Sequence, residues 1–420
     1  MPTRAAAATP PPSRLPRIVW LLGLVSLCND FASEMVVPLV PLLLATLGAA
    51  PAVWIGIIEG SADALASVLK RWSGRRADRG AGSRDRLTLG GYVLSNAARP
   101  LLALVGSATA VLGVRLLDRV GKGLRSAPRD ALLAGAVTPA QRGAAFGLHR
   151  AFDNAGAVLG ALAAAGLLIL HGQDLRAVVW WSLLPGLASV AWLLAALRQA
   201  RRDAAVAVVV AAPAAPTHAD AAGASAVAPE VLRRRARSVL EVVALYTLLR
   251  LPEALLLLRG HELGLVASQV LLLWAGYSAA KAATGHIGGR LGDRHGQARW
   301  LVRAWLGMAA ALLLLATAST PSGLWAGAVL FGLVFGAAEG GERALVAEVA
   351  APGALGRGFG NYHMATGLAA IPGGLLLGLV WTRFGAPAAF ALSGAGLALC
   401  ALWLTRLPPA QADASRHQSV

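Results

Sequence analysis

The sequence predicts an all-α polytopic membrane protein of about twelve transmembrane helices, arranged as two pseudosymmetric six-helix bundles. Three observations carry that prediction. The 420-residue chain is 56% hydrophobic and only 14% charged, where soluble globular proteins carry about 25% charged residues. Its apolar residues fall in runs of roughly 18–25, the length a helix needs to cross a bilayer. A sequence signal in the first half of the chain returns in the second half. Barrel strands are excluded, because they alternate lipid-facing and lumen-facing residues, whereas runs such as Trp325–Phe335 are apolar on every side.

The runs place six spans at 18–46, 53–72, 87–106, 108–131, 144–170 and 177–197, and six more at 238–258, 266–288, 300–317, 322–347, 358–382 and 387–405. The domain organisation follows: a tail at 1–17, a six-helix bundle at 18–198, a linker at 199–237, a second bundle at 238–406 and a tail at 407–420. The linker is rich in Ala, Pro and Val and ends in charge clusters, the composition of an interdomain connection. The first seventeen residues are Ala- and Pro-rich with three Arg and show no cleavage site. They read as a cytoplasmic tail and not as a cleaved signal.

The net charge of +17 sets orientation and does not imply nucleic acid, because the basic residues sit in turns between spans. With both termini inside, the six outward turns hold three basic residues, Arg176, Arg259 and Arg383. The single inward connection around 70–86 holds seven, and the linker region seven more. This bias is the positive-inside rule, and it supports an even number of spans. The expected location is a bacterial-type inner membrane, with both termini cytoplasmic. Cys28 and Cys400 both fall inside spans, so no disulfide framework is implied.

The repeat is specific. Gly74-Arg75-Arg76-Ala77-Asp78-Arg79-Gly80 follows the second span, and Gly289-Arg290-Leu291-Gly292-Asp293-Arg294-His295-Gly296 follows the eighth. Further on, Arg129 to Ala134 precedes Pro139 and Arg142-Gly143. Its counterpart, Arg343 to Ala347, precedes Pro352 and Arg357-Gly358. Two matched signals six spans apart mark an internal duplication. With these motifs the sequence resembles the major facilitator superfamily over essentially its whole length. Arg115 stands where that family often has an Arg in the fourth span. Gly156-x-x-x-Gly160 resembles its fifth-span antiporter motif, with Ala161 where the motif carries Pro. The resemblance implies two bundles whose first, fourth, seventh and tenth spans line a central cavity. It also implies that Gly74, Asp78, Arg79, Gly289, Asp293 and Arg294 form gating loops at the cytoplasmic helix junctions.

Ionisable residues at membrane depth cost roughly 2.5–3.5 kcal/mol each on insertion scales and are functional candidates by default. At about 100° per residue, Arg115, Asp118, Arg119, Lys122, Arg125 and Arg129 share one face of the fourth span. The first span groups Asn29, Asp30, Ser33 and Glu34 and is followed by Pro38 and Pro41, which can bend it. Glu59, Asp63 and Lys70 share a face of the second span. Tyr246, Arg250 and Glu253 are spaced to share a face of the seventh, and Glu339, Glu342 and Arg343 a face of the tenth. Asn96 and Arg99, His149 and Asp153, Lys281 and His363 complete the set. Lines of carboxylates beside Arg suit proton relay, because burial and a neighbouring cation move a carboxyl's proton affinity in opposite directions. Several Arg suit bidentate capture of carboxylate or phosphate.

No phosphate-cradling Gly-x-x-x-x-Gly-Lys-Ser/Thr motif and no metal-site spacing is present. An enzyme, a cofactor, a metal and a nucleic-acid partner are therefore not expected. The reading is a secondary-active transporter, monomeric in the bilayer, that moves a small polar or charged organic solute by alternating access. Proton coupling is expected, and export is favoured over import. A proton-coupled importer, an amphiphile or lipid exporter and a non-transporting membrane sensor stay open as alternatives.

Overall fold

The computed structural model describes residues 15–48, 50–77, 79–137, 142–210, 229–339, 341–349 and 355–407. Among these residues the chain is almost entirely helical and contains no strand. Twelve helical passes account for it. The first six are Arg17–Thr46, Pro51–Ala77, Ala81–Leu104, Ala108–Gly135, Arg142–Leu170 and Leu175–Val210. The second six are Pro229–Glu262, Ala267–His295, Gln297–Thr317, Pro321–Val349, Leu355–Phe384 and Ala386–Thr405. Eight passes are apolar enough to cross a membrane by composition alone. The third, fourth, seventh and eighth are interrupted or too polar to meet that measure by composition alone. Large apolar side chains such as Leu170, Ile169, Leu187 and Leu399 stand exposed on the outside, where the lipid lies. The 199–237 stretch is helical at both ends, and its middle, 211–228, lies outside the described residues.

Proline interrupts the passes at points that matter for the site. In the first span a 3-10 turn, Val37–Leu39, holds Pro38 and separates the helix Arg17–Val36 from Val40–Thr46, whose second residue is Pro41. In the third span Pro100 converts the helix to a 3-10 turn beginning at Arg99. The seventh span departs from its sequence expectation. A continuous helix would put Tyr246, Arg250 and Glu253 on one face, but the helix stops at Leu249 and restarts at Ala254. Pro252 has no N–H to donate and disfavours helical geometry in the residue before it. Ser393 of the twelfth span covers the freed backbone, accepting from the Leu251 N–H at 3.0 Å and donating to the Leu249 carbonyl at 2.7 Å. A break of this kind at membrane depth persists only where such partners exist.

The duplicated loops end alike. Gly80 and Gly296 have φ of +139° and +86°, a region L-residues rarely adopt. That accounts for the glycine closing each copy of the repeat.

Close backbone contact holds the halves together on the face away from the Arg-rich turns. A Cβ on Gly56 would collide with the Gly374 carbonyl, one on Gly60 with Ala370, and one on Gly378 with Ala52. The second and eleventh spans are thus joined along a stripe of small residues. On the same face, where the fifth span ends and the eighth begins, Gln173 and Ser268 exchange two hydrogen bonds of 3.1 and 2.9 Å. Gly156 and Gly160 serve packing inside the first half, against the backbone of Leu27 and Phe31.

Candidate functional site

Opposite that closed face, a cavity of about 1850 Å³ opens between the halves on the side of the Arg-rich turns. Arg71, Arg75, Asp130 and Arg150 stand at its mouth, and Asp30, Glu34, Lys122 and Lys281 lie deeper. Its described lining carries ten Lys or Arg side chains and six Asp or Glu. Behind it lies a smaller chamber of about 250 Å³, sharing Glu34, Val37 and Lys281 with the larger one. The first half lines this chamber with Glu59 and Asp63, and the second half with Arg250, Glu253 and Trp274.

The charges of the first half form a buried network. Arg115, 1% exposed, contacts Glu59 at 3.0 Å and Asp118 at 3.7 Å. Arg119 also faces Glu59, at 3.8 Å, and Arg99 faces Asp118 at 3.3 Å. Asn29 cross-links this network to the first span. Its Oδ1 accepts from Arg99 at 3.1 Å and from Arg125 at 2.9 Å, while its amide donates to Asp30 at 2.9 Å. Arg125 also lies 4.4 Å over the Tyr92 ring. Arg99 can serve the network because the 3-10 turn starting there swings its side chain toward Asn96, which accepts from it at 2.8 Å. Buried charges survive only when paired in this way. Gly91 and Gly121 let the third and fourth spans approach closely enough for these contacts.

The carboxylates nearest the opening have different partners. Asp30 makes one hydrogen bond, to the neutral Asn29 amide, and has no cation within ion-pair distance among the described residues. Glu34 accepts from the Trp274 indole N–H at 2.7 Å, a contact from the first half to the second. Asp153 is held by His149 at 3.2 Å and by the Ser26 hydroxyl.

In the second half Lys281 faces Glu253 at 3.6 Å and lies over the Phe335 ring at 4.8 Å. Arg250 sits in the break of the seventh span, its guanidinium 5.9 Å from the Tyr246 ring and 5.6 Å from that of Phe335. Tyr246 is itself stacked on Trp305 at 4.3 Å. Across the mouth, Arg150 of the first half pairs with Glu339 of the second.

The structure therefore sorts the residues that sequence analysis singled out. Asp30, Glu34, Arg99, Asp118, Arg119, Lys122, Asp153 and Glu339 line the wide cavity, and Glu59, Asp63, Arg250 and Glu253 line the inner chamber. Arg115 lies behind the wall, locked to Glu59 and Asp118. Glu342 is also buried away from the cavity and accepts from the Tyr362 hydroxyl at 3.1 Å. The Arg343 side chain lies outside the described residues. Of the loop motif, Gly74 lines the mouth. Arg79 and Arg294 are exposed, Gly289 lies within the eighth span, and Asp78 and the Asp293 side chain lie outside the described residues. Two participants escape sequence reading. Trp274 sits in an apolar run with nothing to mark it, and Arg150 looks like one more orienting cation.

Two helical bundles around a polar cavity, closed at one face and open at the other, define a multi-pass membrane transporter. The family model of the Major Facilitator Superfamily matches residues 22–258 and 251–419, and the chain belongs to that family. Over 159 residues it is 36% identical to an uncharacterized MFS-type transporter of Methanocaldococcus jannaschii, covering 38% of this chain and 39% of that one. It is 30% identical to an uncharacterized protein of Mycobacterium tuberculosis over 380 residues, 89% of each chain. Its fold is similar to that of the human organic anion transporter MFSD10. The TM-score is 0.63 at 21% identity, over 94% of this chain and 100% of the other.

Proposed function

We propose that this chain is a proton-coupled secondary-active transporter of a small charged organic solute, working by rocking of its halves around the central cavity. The observation that supports this most directly is the contrast among its carboxylates. Glu59 and Asp118 are locked to guanidinium groups, and protonating them would strand a buried cation. Asp30 and Glu34 reach the cavity and are held by neutral donors, so each can gain and lose a proton without that cost. Because the Glu34 contact with Trp274 joins the two halves, its protonation state bears on their relative position.

The Arg-rich face is the cytoplasmic one by the positive-inside rule, which places both termini inside, in an inner membrane. The cavity then faces the cytoplasm, one of the two states an alternating-access cycle passes through in either direction; the fifth-span glycines favour export. The loops at Gly74–Gly80 and Gly289–Gly296 are the gates on that side, and the chain acts as a monomer. The test is flux in proteoliposomes with a pH dye inside, an imposed proton gradient and a pooled metabolite and antibiotic library. Solute-dependent proton movement, lost in Asp30→Asn or Glu34→Gln, supports the reading. Binding with no proton movement at any pH refutes the coupling.

A further inference from the structure

Among the six charged side chains that line the inner chamber, four have a partner. Glu34 has the Trp274 N–H, Glu59 has Arg115 and Arg119, and Glu253 and Lys281 have each other. Asp63 and Arg250 remain. Neither makes an ion pair within 4.0 Å among the described residues. Asp63 comes from the second span and so from the first half, and Arg250 from the break of the seventh span and so from the second. Both line the same chamber without making an ion pair with each other. The Arg250 guanidinium lies against the Tyr246 and Phe335 rings, and Asp63 stands exposed to the chamber on a continuous helix.

We infer that the solute is a zwitterion of amino-acid size, seated in this chamber with its ammonium group on Asp63 and its carboxylate on Arg250. A simple anion would satisfy Arg250 while facing the Asp63 charge, and a simple cation would do the reverse. Only a solute with both charges satisfies both halves at once. It then supplies the missing cross-half ion pair, and its binding draws the halves together. The chamber, about 250 Å³, is smaller than the ~300–1,000 Å³ of ordinary ligand pockets. Val37, Ala254, Leu257 and Ala370 give it aliphatic walls that suit a short methylene chain between the charged ends. The planar fork of Arg250 matches a carboxylate bidentately.

This inference rests on reading the cavity as the solute path, and its test separates the two. Binding to the purified full-length protein is measured by calorimetry for ω-amino acids of increasing chain length and for glycylglycine. Each is compared with its N-acetyl form, which keeps only the anion, and its carboxamide, which keeps only the cation. At least one zwitterion is expected to bind tenfold or more tightly than both of its single-charge forms. Asp63→Asn should erase the preference over the N-acetyl form, and Arg250→Gln the preference over the carboxamide. If a variant does not fold, the wild-type comparison decides alone. The inference is overturned if a single-charge form binds as well as its parent, or if no zwitterion in the series binds at millimolar concentration. Proton-coupled flux of some other solute class, with zwitterions inert, sinks this assignment and leaves the transporter reading intact. Zwitterion binding without flux of any solute does the opposite.

Discussion

Asn29 is the side chain through which the first span is fastened to the charges of the third and fourth, and Asn29→Ala measures that attachment. The residue is 3% exposed. The substitution removes the acceptor for Arg99 at 3.1 Å and Arg125 at 2.9 Å and the donor to Asp30 at 2.9 Å. A hydrogen bond to a charged group contributes about 1.5–3 kcal/mol, so the two guanidinium contacts bound the loss at about 3–6 kcal/mol. Arg99 keeps Asn96, Asp118 and the Asn29 carbonyl, and water from the cavity can reach Arg125, one of its lining residues. Allowing for both, the expected cost is about 2–4 kcal/mol. The assay is SDS-titrated unfolding in mixed micelles followed by tryptophan fluorescence, in wild type, Asn29→Ala, Arg125→Gln and the double variant. The Asn29–Arg125 coupling should be about 1.5–3 kcal/mol, because this contact is the one hydrogen bond Arg125 makes among the described residues. A cost for Asn29→Ala below about 0.5 kcal/mol, or additive single effects, would refute the reasoning.

Three further outcomes follow from the same contacts. Glu34→Gln leaves an acceptor for the Trp274 N–H, so thermal stability should stay near wild type while solute-driven proton movement in proteoliposomes is lost. Proton flux at the wild-type rate would remove Glu34 from the coupling path. Arg150→Glu should slow exchange by repelling Glu339 across the mouth, and Arg150→Glu with Glu339→Arg should restore it. The pair is half-exposed, so melting temperature should barely change; a swap that fails to rescue transport would show that the pair does not govern the mouth. Gly374→Leu would force its side chain into the Gly56 backbone and part the second and eleventh spans. In a background with Cys28 and Cys400 replaced by Ser, a cysteine at Ala52, now 2% exposed, should become reactive to an impermeant maleimide added from the outer face. Continued protection would mean that the stripe of small residues is not what closes that face.

The helical membrane architecture was legible because it depends on quantities the chain carries locally. Run length sets the number of crossings, and the duplicated Gly-x-x-x-Asp-Arg signal sets the two-part plan. The residues of the site were legible as a set, since an ionisable side chain in an apolar run stands out whatever it touches. Periodicity also put Arg115 and Asp118 on a common face of the fourth span, and the structure finds them 3.7 Å apart. At the seventh span it held for Tyr246 and Arg250, whose amide still donates to the Tyr246 carbonyl at 2.8 Å, but not for Glu253, which lies beyond the break at Pro252.

Partnership was not legible at all. Arg115 and Arg119 look equivalent on a helical wheel, yet one is sealed behind the wall and the other lines the cavity. Glu59 and Asp63 lie one turn apart on the same helix, yet Glu59 is held by two guanidiniums and Asp63 by none among the described residues. A helix's own periodicity says which residues share a face. The rotation and depth of the neighbouring helix decide what that face meets, and these are set by contacts between distant segments, such as Gly121 against Ser95 and Gly56 against Gly374. The sequence by itself determined that this protein crosses the membrane as a duplicated bundle with charges inside it. Only the tertiary structure decided which of those charges neutralise one another and which are left facing the cavity, because an ion pair is a property of two helices packed together and of neither one alone.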